Sequence, residues 1–299
     1  MPGEVRNRPL FSAFLFILLL LAPQYSIHAR SSEQHPTATT ALLDEKLSQW
    51  DNYLSYRFKP GYDGSLPAED PVGFNQPEGR EIFSVQLENG EPILHISGEI
   101  YGSLITKNEY GNYRLRLKVK WGDKKWDPRK NLLKDSGILY HSVGPHGAEY
   151  WRSWMQAQEF QIMQGHMGDY WSQATSAMDV RAFQPEYIMN PVGSTSQPFL
   201  SVGHKQDIQG LVIRSDNHES PDGEWTQLEL ICFKGKSLHI VNGHLVMVLQ
   251  NSRYEKDGEM VPLVAGKIQL QSEAAEVFYK DIQIEQLSAL PPQYAGLFD

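Results

Sequence analysis

Cysteine is nearly absent: Cys232 is the single one in 299 residues. An intramolecular disulfide is therefore excluded, and so is a cysteine-based zinc site. Cys232 lies in the apolar run from Leu228 to Phe233 and reads as a small buried hydrophobe rather than a reactive thiol. Basic residues are also in short supply. Lys and Arg number 27 against 36 Asp and Glu, a net charge of −9. With no basic patch to neutralise phosphates, nucleic acid is not an expected partner. No internal repeat is visible, which argues against a propeller. No long helical pattern is visible either.

What is present at the N-terminus is a leader pattern. Arg6 and Arg8 precede the apolar stretch Leu10 to Ala22, and small residues follow near Ala29 and Ser31. The stretch is short for a bilayer span, so residues 1–30 are expected to be a signal peptide. The mature protein is then expected to be periplasmic or secreted, with no membrane span. Residues 31–62 are polar and poorly patterned. They are expected to form a tether with one short helix around Leu42 to Tyr53. Residues 289–299 are expected to be a C-terminal tail.

From about Glu81 onward the apolar period is two. Leu115, Leu117 and Val119 alternate with Arg114, Arg116, Lys118 and Lys120, the mark of a half-exposed strand. Near the C-terminus, two alternating runs flank Asn242-Gly243. That pair is a strong hairpin signal, because both turn residues need positive φ. Many antiparallel strands with Gly-rich turns imply an all-β fold over residues 63–288: a β-sandwich of two antiparallel sheets with jelly-roll architecture. Long non-strand insertions are expected at about Gly122 to Asp135 and Gly165 to Gln197, and loops of that length tend to carry function.

The segment His141 to Trp171 holds three tryptophans, three histidines and three carboxylates in 31 residues. Flat aromatic rings stack on the apolar faces of sugars, while amide, carboxylate and guanidinium groups satisfy hydroxyls. An oligosaccharide or glycoside is the partner this composition suits. If Phe160 and Ile162 point to the core, Glu159, Gln161 and Met163 share the opposite face. Trp151, Trp154, Trp171, Tyr140, Arg152 and Asp169 are the other candidate substrate contacts. His141 and His166 with Glu159 are candidate ligands of a divalent metal ion, although no tight signature such as His-Glu-x-x-His is present.

Nine ordered segments carry a family resemblance. They are Gly102–Thr106, Tyr110–Leu117, Asp135–His141, Gln158–Met163, Gly165–Trp171, Gly223–Glu229, His239–Gly243, Gly266–Gln271 and Val277–Ile282. In order and spacing they resemble the 3-keto-disaccharide (3-keto-glycoside) hydrolase family, which has a concanavalin A-like fold. Many members have Asn where this chain has Asp135, and Arg where it has His141. The strand Glu159-Phe-Gln161-Ile-Met-Gln164 also invites comparison with retaining β-glucanases of this fold, which resemble Glu-x-Asp-x-x-Glu. Here two of those three carboxylates are amides, which cannot serve as nucleophile or general acid. A 3-keto sugar lifts that requirement. Its carbonyl acidifies the C2 proton, so one base can drive β-elimination of the C1 substituent, and hydration completes a net hydrolysis.

The resemblance implies Glu159 or His166 as base or acid, and His141, with or without a metal, as the group polarising the keto oxygen. It implies Gln161 and Arg152 as hydroxyl contacts and the three tryptophans as walls. Three other readings remain open at this level. One is a non-catalytic lectin-like domain. Another is a conventional glycosidase drawing a second carboxylate from Glu149 or Asp169. The third is a structural surface protein whose aromatic cluster is buried.

Overall fold

The computed structural model describes residues 38–59, 61, 65–149 and 151–299. The chain divides into two units at residues 36 and 37, and every described residue belongs to the second. The expected signal peptide at 1–30 lies outside the described residues.

The fold is all-β. Two antiparallel sheets, of 12 and 8 strands, enclose the main core. The long strand Tyr113–Lys125 shows how the pattern works. Tyr113, Leu115, Leu117, Val119 and Trp121 are buried between the sheets. The basic residues between them face outward: Arg114 pairs with Glu229 at 3.2 Å and Lys118 with Asp281 at 2.9 Å, while Lys120 lies over the rings of Trp225 and Phe278. Asn242 (φ 47°) and Gly243 (φ 79°) form the expected hairpin between Lys236–Val241 and His244–Lys256. Cys232 is fully buried, as its apolar run implied.

Two terminal expectations need correction. The short helix over Leu42 to Tyr53 does not form, and the segment is no tether. Thr39–Ala41 adds to the larger sheet beside Ala275–Gln286, and Trp50–Leu54 adds to the smaller one beside Gly102–Thr106. Between them Asp44 accepts hydrogen bonds from the backbone N–H groups of Lys46 and Ser48, at 2.9 and 3.0 Å, and turns the chain from one sheet to the other. Leu43, Leu47, Trp50 and Leu54 have helix-like spacing, but the open edge of Gly102–Thr106 supplies strand partners, and tertiary pairing overrides local pattern. Trp50 is anchored in the core with its indole N–H on the Leu42 carbonyl at 2.7 Å. Removing such a ring costs about 3–5 kcal/mol. At the other end, Pro292–Phe298 forms a 3-10 helix. Tyr294, Leu297 and Phe298 pack on Ile231, Leu238, Ile240 and Val248, covering the outer face of the larger sheet.

The expected insertion at Gly165 to Gln197 is not strand-free. It contains the strands Tyr170–Ser172, Ser176–Phe183 and Val192–Gly193. Tyr170–Ser172 extends the smaller sheet next to Gln156–Met163. The loop after Lys125 is real and carries Arg129.

Candidate functional site

Three adjacent strands of the smaller sheet build the site: Gln156–Met163, Asp135–Val143 and Lys267–Ser272. Phe160 and Ile162 are fully buried in the core, so Glu159 and Gln161 face the other way, as alternation required. Across the three strands the register aligns Gln161 with Gly137, and Glu159 with Leu139 and Gln269. Asp135 faces Glu273 in an isolated bridge at the strand ends.

Gly137 makes the hollow. A Cβ there would lie 2.4 Å from Glu159 Oε1 and 2.4 Å from Gln271 Oε1. Both side chains therefore lean into the space a larger residue would fill. Above them opens a cavity of about 400 Å³. Its polar lining comprises Arg129, Asp135, Glu149, Glu159, Gln161, Ser172, Gln173, Gln271 and Glu273; Trp151, Trp154 and Trp171 form its apolar walls.

Each wall is fixed by its own contacts. Trp154 donates its indole N–H to the Gly102 carbonyl at 3.0 Å and stacks on Tyr101. Trp151 packs edge-on against Phe58. Trp171 stands directly across from Glu159 on the next strand and keeps 36% of its surface exposed. The Glu149 carboxylate accepts backbone N–H groups from Trp151, Ser153 and Trp154, which shapes the loop that presents two of the three indoles.

The electrostatics are those of crowded, dry carboxyls. Burial pushes Glu159 up to about 8, opposed by a hydrogen bond from the Gln173 amide and reinforced by the charges of Glu273 and Glu149. Burial also raises Asp135 and Glu273, which share the guanidinium of Arg129. Arg129 lies 2.5 Å from Asp135 Oδ2 and 3.9 Å from Glu273 Oε1. Gln161 donates its amide to Asp135 Oδ1 at 3.1 Å, leaving its own Oε1 buried without a partner.

Of the residues expected from sequence, Glu159, Gln161, Trp151, Trp154 and Trp171 converge here. Five others do not line the cavity. Tyr140 points into the core, where its hydroxyl meets Ser237 at 2.9 Å. His141 should return to the site face by alternation, but a bulge follows Tyr140 and His141 takes φ 54°. Its ring turns towards Tyr113 and Gly111, with Nε2 at 3.3 Å from the Gly111 carbonyl, and burial lowers it to about 4. His166 and Asp169 belong to a clamp. Asp169 is fully buried, 3.0 Å from His166 Nδ1, and accepts the backbone N–H and guanidinium of Arg214 at 2.8 and 3.1 Å. Arg152 is exposed on the loop, at φ 54°. The expected metal set of His141, His166 and Glu159 is thus not brought together, and among the described residues no group of three His, Cys, Asp or Glu side chains is arranged for a metal ion.

Sequence reasoning missed Arg129, Gln173, Gln271 and Glu273. A signal existed for the last two: Gln269, Gln271 and Glu273 alternate with the buried Ile268 and Leu270, so they share a face.

The fold defines the class as a two-layer antiparallel β-sandwich of the concanavalin A-like type, with a carboxyl- and tryptophan-lined cavity on one sheet. The chain belongs to the 3-keto-alpha-glucoside-1,2-lyase-like domain family, whose model matches residues 38–285. Among curated proteins none matches. Solved structures give weak likenesses. A "putative glycosyl hydrolase" from Parabacteroides distasonis is 16% identical with TM-score 0.45, covering 84% of this chain and all (100%) of that one. The carbohydrate-binding module CBM66 from Bacillus subtilis is 7% identical with TM-score 0.38, covering 68% of this chain and 92% of that one. A Bacillus licheniformis beta-glucanase is 10% identical with TM-score 0.38, covering 85% of this chain and 100% of that one.

Proposed function

We propose that this protein cleaves 3-keto-glycosides by β-elimination of the C1 substituent followed by hydration, and that it does so after export, as its leader pattern implies. The observation that carries the reading is Glu159. It is a buried carboxyl at the floor of a tryptophan-walled cavity, held by Gln173 and lifted by burial to about 8. A carboxyl so placed is matched to taking and returning a proton near neutral pH.

In this reading the Glu159 carboxylate removes the C2 proton. The C–H electron pair moves towards C3, and the keto oxygen gains charge as an enolate. Gln271, beside Glu159 over Gly137, has a buried amide nitrogen with no partner and is an uncharged donor for that oxygen. The enolate then collapses, restoring C3=O, forming C1=C2 and expelling the C1 oxygen. Water adds to C1, and the proton on Glu159 returns to C2. The tryptophan walls hold the ring and exclude bulk water, which strengthens every charge interaction inside. His141 and His166 have no role at the reacting atoms in this scheme.

A conventional double displacement is less well supported. It needs a second carboxylate free to attack as a nucleophile, whereas Glu149 already accepts three backbone N–H groups and Asp135 and Glu273 are held beside Arg129.

The test compares a 3-keto-glucoside carrying a chromogenic leaving group with the same glucoside unoxidised. Release from the keto sugar alone, lost in Glu159→Gln by about 10²–10⁴-fold, is the expected result. Release from both would move the reading to an ordinary glycosidase. Binding of the keto sugar without release would make the domain lectin-like.

A further inference from the structure

The elimination needs a second proton-handling group, because the oxygen leaving C1 departs as an anion unless it is protonated. We infer that the Asp135–Glu273 pair, bridged by Arg129, is the catalytic proton donor to the departing oxygen. The inference rests on the reading of Glu159 as the C2 base.

Geometry is the argument. Asp135 and Glu273 face each other at the ends of two adjacent strands, and both line the cavity. One guanidinium serves both carboxyls, 2.5 Å from the first and 3.9 Å from the second. Asp135 is 4% exposed, and the side chain of Glu273 is 12% exposed. Burial and each other's charge raise both carboxyls, and two such groups beside one cation are costly to ionise together, so one of the two is held protonated. Glu159 lies on the same cavity wall as the pair and interacts with it electrostatically. That carboxyl leans over Gly137, two residues along the strand from Asp135, which is roughly 7 Å of backbone at the usual rise per residue. Glu159 and the pair are thus offset along the strand direction on one wall of the cavity. A further group points into the same end of the cavity. Gln161 is 6% exposed and bonded to Asp135, and its Oε1 is buried with no partner, an acceptor awaiting a substrate hydroxyl.

The proton balance closes. As the C1–O bond breaks, its electron pair stays on the leaving oxygen, which takes the proton from the pair. The pair is then doubly ionised beside Arg129. When water attacks C1, its proton passes to the pair and resets it, while Glu159 returns its own proton to C2. The sum is 3-keto-glycoside plus water giving alcohol plus 3-keto sugar.

The experiment varies the leaving group. Purified Asp135→Asn, Glu273→Gln and wild-type protein are compared on a 4-nitrophenyl and a methyl 3-keto-glucoside. Nitrophenolate leaves without a proton, and methoxide does not. The amide variants are expected to lose about 10²-fold or more in kcat/KM on the methyl glycoside, and less than tenfold on the nitrophenyl one. Wild-type protein is expected to show a larger solvent deuterium isotope effect on the methyl than on the nitrophenyl substrate, a readout that does not depend on any variant folding. Equal losses on both substrates together with equal isotope effects would overturn the inference and make the pair structural. Failure of the Glu159 reading looks different: Glu159→Gln would then retain activity on both substrates.

Discussion

Glu159 and Trp171 are direct cross-strand partners, so a carboxyl and a half-exposed indole share one face of the sheet. Burial lifts that carboxyl to about 8, and the indole stands over the same cavity wall. A base must be ionised to act. On the 4-nitrophenyl 3-keto-glucoside, whose leaving group needs no proton, the rate of cleavage is therefore expected to climb about tenfold per pH unit below that value and to level off above it. Trp171→Ala should admit water and move the rising limb to lower pH. A pH–rate profile of both proteins checks this, and an unmoved limb would separate the indole from the tuning of Glu159.

The same lifted carboxyl ties stability to pH. Between its ordinary value of 4.5 and about 8, Glu159 binds a proton in the folded state that the unfolded chain has released. More protons in the folded state mean stability falls as pH rises through that window. Glu159→Gln removes the titration. The variant is expected to melt higher than wild type at pH 9 and to lose that advantage at pH 4. The buried histidines act in the opposite sense. Burial lowers His239 to about 3 and His141 to about 4. Below the ordinary value of 6.5 the unfolded chain gains protons these groups refuse, so their contribution is lost as pH falls. Thermal melts across pH 4 to 9 separate the two limbs.

The fold was legible because its signals are local. Alternation in Tyr113–Lys125 and the Asn242-Gly243 turn each need only neighbouring residues. Glu159 and Gln161 were legible for the same reason, since Phe160 and Ile162 fix the phase of their strand. The shared face of Gln271 and Glu273 was legible in the same way, but its place in the site was not, because that comes from pairing with a strand more than a hundred positions away. His141 failed for a third reason. A single residue at positive φ breaks alternation, and nothing in Tyr140-His141-Ser142 announces it. The N-terminal strands were hidden because Leu43, Leu47, Trp50 and Leu54 carry helical spacing that an open sheet edge overrides.

His166 offers a direct check on that geometry. It clamps the turn before Tyr170 through Asp169 and Arg214 and does not line the cavity. His166→Gln is expected to leave kcat within about threefold and to lower stability by about 0.5–1.5 kcal/mol, the net range for one hydrogen bond at a partly exposed side chain. Steady-state kinetics with a denaturant melt decide it. A loss as deep as that of Glu159→Gln would place His166 back among the catalytic groups.

Gly210 tests whether Trp171 is a sugar platform. It has φ 71°, and a Cβ there would lie 2.9 Å from Cζ3 of the Trp171 ring. An added methyl must push the indole away from its position opposite Glu159, on top of the strain that a side chain brings at that φ. If the ring stacks on the substrate, its loss removes about 0.5–1.5 kcal/mol of contact, or about a two- to tenfold rise in KM. Gly210→Ala and Trp171→Ala should then raise KM alike, and the double variant should add little to either, since both changes remove one contact. Additive effects on KM would mean that Gly210 acts through the backbone of its own loop, and that the indole is a wall against water rather than a surface for the sugar.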